Sequence, residues 1–234
     1  MLPDLAVDWL RLMPLAMLGA VLGLDVVTFP QAMISRPIVA STLAGTMLGE
    51  PLRGLVMGVA LEFFALESMP FGASRYPEWG SAAVVGGALF AMTPDNTPAA
   101  MTLSALAALV AAQVGGLSMV ALRQWNARLA RSRQAQLAAG DGRAVLTLQL
   151  AGISADFVRG GALTMLALAA FSPLRVAILA TFSFPNTLSR AVVVSVASAV
   201  GLAAVWKVTS TTHGARWWLL GGLVLGFALA GGLG

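Results

Sequence analysis

The chain has 234 residues, of which 58% are hydrophobic and only 10% are charged, and it contains no cysteine. A soluble domain carries about 25% charged residues, so this composition excludes an ordinary soluble domain and indicates a membrane protein with several spanning segments. The lack of cysteine excludes thiolate chemistry, and the excess of 14 basic over 10 acidic residues indicates cytoplasmic segments rather than a nucleic-acid partner.

The first apolar segment covers residues 5–24, and Asp25 follows it directly. The residues before it lack the basic region of a signal peptide, so we treat them as mature sequence. Pro30 interrupts the chain soon afterwards, and Pro37 disfavours a helical backbone at Arg36. The sequence therefore predicts a broken or re-entrant segment between Asp25 and Pro37.

Two further segments follow closely. Residues 38–49 are too few to cross a bilayer, which takes about 20 residues, whereas residues 52–66 have a helical pattern. Gly54, Gly58 and Glu62 are spaced by four residues, so they share one helix face. The glycines let a neighbouring backbone come close, and the carboxylate then projects into that contact. Glu62 is predicted to bind a partner group there, or else to form an ion pair that only fixes helix packing.

The remainder of the chain continues the membrane pattern. A polar loop at residues 69–80 carries Tyr76 and Trp79, which are predicted to be interfacial anchors, with sugar stacking as the alternative. Further apolar segments lie at residues 81–92, 99–122, 160–171, 174–184, 188–206 and 217–233. In total we expect about six to eight membrane segments, at least one of them re-entrant.

Residues 123–143 are strongly basic, with five arginines and one acid, Asp141. Because basic residues concentrate on the cytoplasmic side of membrane proteins, this stretch is predicted to be a cytoplasmic loop. It either sets the topology only or docks a soluble partner. In the amphipathic stretch that follows, Asp156 and Arg159 are three residues apart and are predicted to pair.

The motifs of common catalytic sites are missing from the sequence. It has no GxxxxGK[ST] loop, no HExxH, no CxxC and no cluster of histidine and cysteine. The single histidine, His213, lies in a predicted loop. We therefore expect a translocator with no catalytic residue, no cofactor and no metal.

The stretch around the broken segment also carries an ordered set of short motifs. These are Leu24-Asp25, Gln31, Ser35-Arg36-Pro37, Leu48-Gly49-Glu50, Gly54, Gly58, Glu62, and Pro70 with Gly72. In order and spacing they resemble the enzyme IIC subunit of the mannose/fructose/sorbose-type sugar phosphotransferase system (PTS) permeases. The resemblance is dense over residues 24–72 and reduces to hydropathy after Gly80.

The resemblance implies an all-α polytopic membrane protein with broken or re-entrant helices, forming one membrane domain over residues 1–234. In such systems a phosphoryl group passes from phosphoenolpyruvate through enzyme IIA to a histidine of enzyme IIB and then to the sugar. Enzymes IIC and IID form the membrane part, and neither carries the phosphorylated residue. The implied partners are enzyme IID, enzymes IIA and IIB, a hexose-like sugar and membrane lipid, with assembly into oligomers in the bacterial inner membrane.

A sugar offers hydroxyl groups and needs a mixture of hydrogen-bond donors and acceptors. Asp25, Gln31, Arg36 and Glu62 supply that mixture and are the candidate substrate-binding residues. Gln31 and Glu62 are expected to contact hydroxyls. Arg36 is expected to pair either with Asp25 or with Glu62, and the sequence leaves both open.

Two other functions are compatible with the residues. One is a stand-alone secondary transporter of a small polar solute, with Asp25 or Glu62 as a proton site. The other is a membrane scaffold that no longer transports. Glu67, Arg75 and Trp79 depart from the family pattern, which leaves the identity of the sugar open.

Overall fold

The computed structural model describes residues 9–26, 28–67, 75–93, 97–182, 185–210 and 213–232. Within these ranges the secondary structure is helical and contains no strand. The helices are α1 (Trp9–Asp25), α2 (Pro37–Met47), α3 (Pro51–Glu67), α4 (Trp79–Ala91), α5 (Pro98–Ser132), α6 (Gln134–Ala138), α7 (Gly142–Thr181), α8 (Asn186–Thr209) and α9 (Ala215–Gly232). The all-α prediction is confirmed. The motif residues Pro70 and Gly72 and the start of the first predicted segment lie outside the described residues.

Long and short apolar helices are combined in this chain. Helices α5, α7 and α8 are long and apolar enough to cross a membrane, whereas α2 and α4 are apolar but shorter, with 11 and 13 residues. At about 1.5 Å per residue, neither short helix spans a hydrocarbon core of about 30 Å. The protein is therefore a polytopic membrane protein in which full spans are mixed with partial ones, as the sequence predicts. The number of membrane segments stays a prediction.

The break between α1 and α2 comes where the prolines predict it. Helix α1 ends at Asp25 and α2 begins at Pro37, a position where proline is favoured because the first helical N–H has no partner within the helix. The backbone between them is irregular, with positive φ at Gln31 (59°) and Met33 (62°). Residues 28–36 are called the broken segment below.

Helix α4 forms the centre of the fold. Residues 80–91 are all buried, because α4 packs against α1, α2, α3, α5 and α7. A helix that is apolar on every side belongs in a core rather than at a surface. Its small residues allow close neighbours: a Cβ added at Gly87 would lie 2.7 Å from the Ser41 Cα of α2. Helices α2 and α3, which flank the broken segment and carry Glu62, are thus both packed against this central helix.

The glycines of α1 have a similar effect. Gly19 lies against Thr164 and Gly23 against Gly160, so α1 runs antiparallel to α7 in close contact. This confirms the close helix approach that their four-residue spacing predicts.

The basic stretch at residues 123–143 differs from the predicted loop. Helix α5 continues to Ser132, α6 follows, and α7 begins at Gly142. Alanine, arginine, leucine and glutamine dominate this stretch, and all four favour helices strongly. Gly140, with φ of 74°, provides the left-handed turn that reverses the chain.

The C-terminal helices α8 and α9 pack loosely on the rest. Helix α8 contacts α3 and α5, and α9 contacts α8. Large apolar side chains on both remain exposed, among them Val194, Trp206 and Val224. Such surfaces are suited to lipid or to other membrane subunits.

Candidate functional site

The clearest pairing of charges near the broken segment joins Arg36 and Glu62. Arg36 donates to Glu62 Oε1 from Nε at 2.8 Å and also from Nη2. The other carboxylate oxygen accepts from the backbone N–H of Ile38 at 3.2 Å. The carboxylate of α3 therefore holds both the end of the broken segment and the first turn of α2.

The position of Glu62 follows from the glycines on its helix face. A Cβ added at Gly58 would lie 2.8 Å from the Cα of Ile38, and one at Gly54 would lie 3.0 Å from the Cα of Gly45. Helices α2 and α3 are therefore in backbone contact along this face. The carboxylate projects into the contact, as the spacing of Gly54, Gly58 and Glu62 predicts.

Asp25 shapes the broken segment from its other end. Its Oδ1 accepts from the N–H of Ala32 at 2.6 Å, and its Oδ2 accepts from the N–H of Ser35 at 2.9 Å. The Asp25 residue is only 2% exposed. Of the two pairings that the sequence leaves open for Arg36, the structure contains the one with Glu62, because the Asp25 carboxylate is turned to the backbone.

Gln31 lies in the broken segment between these two anchors. It is exposed and has a left-handed backbone conformation, with φ of 59°. Such a conformation is uncommon for a residue other than glycine, and it persists where the surroundings enforce it. All four candidate residues thus lie in or beside the broken segment, with Arg36 and Glu62 in direct contact.

A second cluster of charges lies behind the broken segment. Arg159 donates from Nε to Asp156 Oδ1 at 2.8 Å, and the hydroxyl of Thr28 donates to Asp156 Oδ2. Arg159 Nη1 donates to Ser118 Oγ at 3.2 Å and lies 3.8 Å from Glu78 Oε2. The predicted pair of Asp156 and Arg159 is confirmed, and it connects the broken segment with α4, α5 and α7.

Glu78 was not among the candidate residues. It is fully buried and caps α4, accepting from the N–H of Ser81 at 3.0 Å. Its partner Arg159 lies on a helix far along the chain, so no local spacing links the two residues. The local sequence also gives no strong cap signal, because helix N-caps are usually Ser, Thr, Asp or Asn rather than Glu.

The two clusters provide polar groups inside an otherwise apolar fold. Charges inside such a fold are tolerated where each has a partner. Here Arg36 pairs with Glu62 of α3, and Arg159 of α7 pairs with Asp156 on its own helix and lies near Glu78 at the start of α4. Such groups are able to bind hydroxyls of a neutral solute. Tyr76 is engaged elsewhere, since its hydroxyl accepts from Arg123 Nη2 at 2.6 Å and the guanidinium lies 5.1 Å from the ring centroid.

Relatives of the chain place it in a family. The family described as the PTS system sorbose-specific IIC component matches residues 9–233. A solved protein described as "Structure of membrane protein" has a TM-score of 0.73 and 18% identity, over 97% of this chain and 92% of its own. At that identity the likeness shows the fold alone. No curated protein matches significantly.

The family match spans nearly the whole chain, far beyond the motif-bearing stretch, and the stand-alone transporter and scaffold hypotheses are not favoured by it. The chain therefore belongs to the sorbose-specific IIC family and is a membrane subunit of a sugar phosphotransferase permease.

Proposed function

We propose that this subunit binds a hexose-like sugar at the broken segment and carries it across the bacterial inner membrane. The observation that supports this most is the ion pair of Arg36 and Glu62 beside the broken segment. Their side chains are 23% and 20% exposed, so both are within reach of a solute. Charged groups in a membrane protein usually mark the path of a substrate or ion.

The four residues have different roles in this proposal. The Glu62 Oε2 atom accepts one hydrogen bond from the N–H of Ile38 and has a second lone pair, since a carboxylate has about four acceptor positions. In the proposal, this second lone pair accepts from a sugar hydroxyl. Gln31 contributes an exposed amide from the broken segment. Arg36 donates to a hydroxyl while it stays paired. Asp25 positions the segment through its two backbone bonds.

The subunit works with other PTS components, as its family implies. We propose that these are a membrane enzyme IID and soluble enzymes IIA and IIB, and that the membrane subunits form an oligomer. Residues 1–234 then make up one membrane domain, with the basic helices at 123–143 on the cytoplasmic side. The exposed apolar surfaces of α8 and α9 are compatible with lipid and subunit contacts.

The test is sugar phosphorylation and uptake driven by phosphoenolpyruvate, in vesicles that contain this chain and its IIA, IIB and IID partners. Mannose, fructose and sorbose are supplied in turn. Glu62→Gln removes a charge-assisted bond, which is about twice as strong as a neutral one, so we expect uptake to fall about tenfold or more. Glu50→Gln is the matched control, because Glu50 is 45% exposed at the turn between α2 and α3.

Normal uptake by the Glu62→Gln variant contradicts the role of Glu62 as a sugar ligand. A variant that inserts and assembles normally but does not transport supports it. If Glu62 only fixes packing, assembly with the partners falls instead, and a second substitution, Arg36→Gln, partly restores it because the unpaired guanidinium is then removed.

A further inference from the structure

A cavity of about 500 Å³ lies between α5 and α7, and Thr28 and Phe29 of the broken segment border it. The volume falls in the range of about 300–1,000 Å³ that is usual for small-molecule sites. The cavity therefore adjoins the segment that carries Gln31, but on the side of the basic helices. None of the four substrate-binding candidates lines it.

Five polar side chains contribute to the cavity lining: Thr28, Arg123, Asn126, Gln149 and Asp156. They combine a hydroxyl, two amides, a guanidinium and a carboxylate, so they offer both donors and acceptors. The other lining residues are apolar side chains and one glycine. A mainly apolar cavity with a few convergent polar groups is the usual composition of a site for a small polar molecule.

The charges in the lining indicate a neutral ligand. Arg123 already donates to Tyr76, and Asp156 already accepts from Thr28 and Arg159. An added anion would meet the Asp156 carboxylate, and an added cation would meet the Arg123 guanidinium. A lipid chain would cover the amides of Asn126 and Gln149 without bonding to them, which costs free energy.

We propose that this cavity is a second binding site for the transported sugar, between the broken segment and the basic helices at residues 123–143. The inference rests on the proposed function. Asn126 and Gln149 bind sugar hydroxyls. Thr28 joins the two sites, because it belongs to the broken segment and its hydroxyl bonds to Asp156 at the cavity wall.

The test uses the natural lack of cysteine in this chain. A Cβ at position 152 would lie 3.6 Å from the nearest atom, the Asn126 amide nitrogen, which is ordinary van der Waals contact, so Gly152→Cys adds its Cβ without a steric conflict. The full chain in lipid vesicles is treated with a small maleimide, with and without mannose, fructose or sorbose. At about ten times the Kd of a bound sugar, labelling should slow about tenfold by mass action.

Three further variants make the result specific. Ser154→Cys places the thiol two residues away on α7, at an exposed position outside the cavity lining, where sugar should not change the labelling rate. Asn126→Ala in the Gly152→Cys background should raise the half-protecting sugar concentration about fivefold, as expected for one lost hydrogen bond. Gln124→Ala, exposed on the same helix and outside the lining, should leave it unchanged.

An absence of protection at position 152 by all three sugars overturns the inference. The inference is also overturned if the labelling rate at position 152 rises when lipid is removed but does not change with sugar, because that result identifies a lipid site. Ala32→Cys reports separately on the broken segment, since Ala32 is exposed next to Gln31. If sugar protects Ala32→Cys but not Gly152→Cys from labelling, only the second site is contradicted. If sugar protects neither cysteine, the proposed function is contradicted as well.

Discussion

Individual residues show how this protein keeps charges inside a membrane fold. Asp156 is 1% exposed; its Oδ1 accepts from Arg159 on the same helix, and its Oδ2 accepts from Thr28 of the broken segment. Arg159 in turn lies near a second acid, Glu78. The cluster thus combines an ion pair within α7 with contacts to Thr28 and Glu78, so it fixes the mutual arrangement of α4, α7 and the broken segment.

Asp156→Ala should therefore destabilise the protein strongly. The substitution leaves the Arg159 guanidinium with Glu78 at 3.8 Å as its acidic neighbour, and breaking one partner of a buried pair costs about 3–5 kcal/mol. Thermal unfolding of the purified full chain in detergent measures this as a lowered midpoint. Asp141→Ala is the control, because Asp141 is an exposed N-cap of α7 whose loss costs about 1 kcal/mol. Equal shifts for the two variants contradict a structural role of the buried cluster.

At the scale of helices, the hairpin of α2 and α3 depends on glycine. Gly45, Gly54 and Gly58 bring the two backbones into contact, and Glu62 then meets Arg36 at the open end of the hairpin. Small residues serve this purpose in membranes because helices there associate by close packing rather than by the hydrophobic effect. The position of the ion pair is therefore a consequence of helix packing.

Gly58→Ala should disrupt the hairpin although it adds a single methyl group. The new Cβ would lie 2.8 Å from backbone atoms of Pro37 and Ile38, so α2 has to move away. Gly222→Ala in α9 is the matched control, since a Cβ there meets nothing within 4 Å. At an open helical position, alanine stabilises by up to about 1 kcal/mol over glycine.

The thermal midpoints of the two variants should consequently shift in opposite directions, with Gly58→Ala also losing the ability to assemble with its partners. A Gly58→Ala protein as stable as the parent chain contradicts the backbone contact.

Local sequence patterns predicted these helices well and their long-range contacts poorly. Prolines and glycine spacing predicted α2 and α3 with their bounds within a few residues, because the signals are local. The choice of Glu62 over Asp25 as partner of Arg36 depends on how Asp25 bonds to the backbone of residues 32 and 35. That geometry, like the contact of Arg159 with Glu78, arises only when distant helices pack.

The length of α5 is a further difference. The change from apolar to basic residues at position 123 predicts the end of the helix there, whereas α5 continues to Ser132. A change in polarity marks where a helix leaves the apolar core, but arginine and glutamine are good helix formers in water as well. Hydropathy therefore predicts a membrane boundary and does not predict a helix end.

For the whole molecule, polar contacts lie at two levels along the axis of the central helix α4, one at each of its ends. Glu78 lies at the N-terminal end of α4 with Arg159. At the other end of α4, Arg53 and Arg175 both donate to Thr93. Helix α4 has 13 residues, which correspond to about 20 Å. The two polar levels are therefore closer together than the thickness of a hydrocarbon core of about 30 Å, so the protein has polar groups at membrane depth.

The two levels also predict which ends of the molecule face which compartment. Helix α5 begins a few residues after Thr93 and ends in the basic stretch, and Arg53 ties the turn between α2 and α3 to Thr93. Ser132 and Glu50 consequently lie at opposite ends of the fold. The basic residues predict that the Ser132 end faces the cytoplasm.

Single cysteines at these positions test the topology in intact cells. Ser132→Cys should resist a membrane-impermeant maleimide added from outside and react after the cells are opened, because the arginines around it are retained on the cytoplasmic side. Glu50→Cys, partly exposed at the opposite end, should react from outside in the same cells. If Ser132→Cys is labelled from outside and Glu50→Cys is not, the orientation is the opposite of the one predicted here. The proposed second sugar site would then lie on the side from which the sugar enters rather than the side to which it leaves.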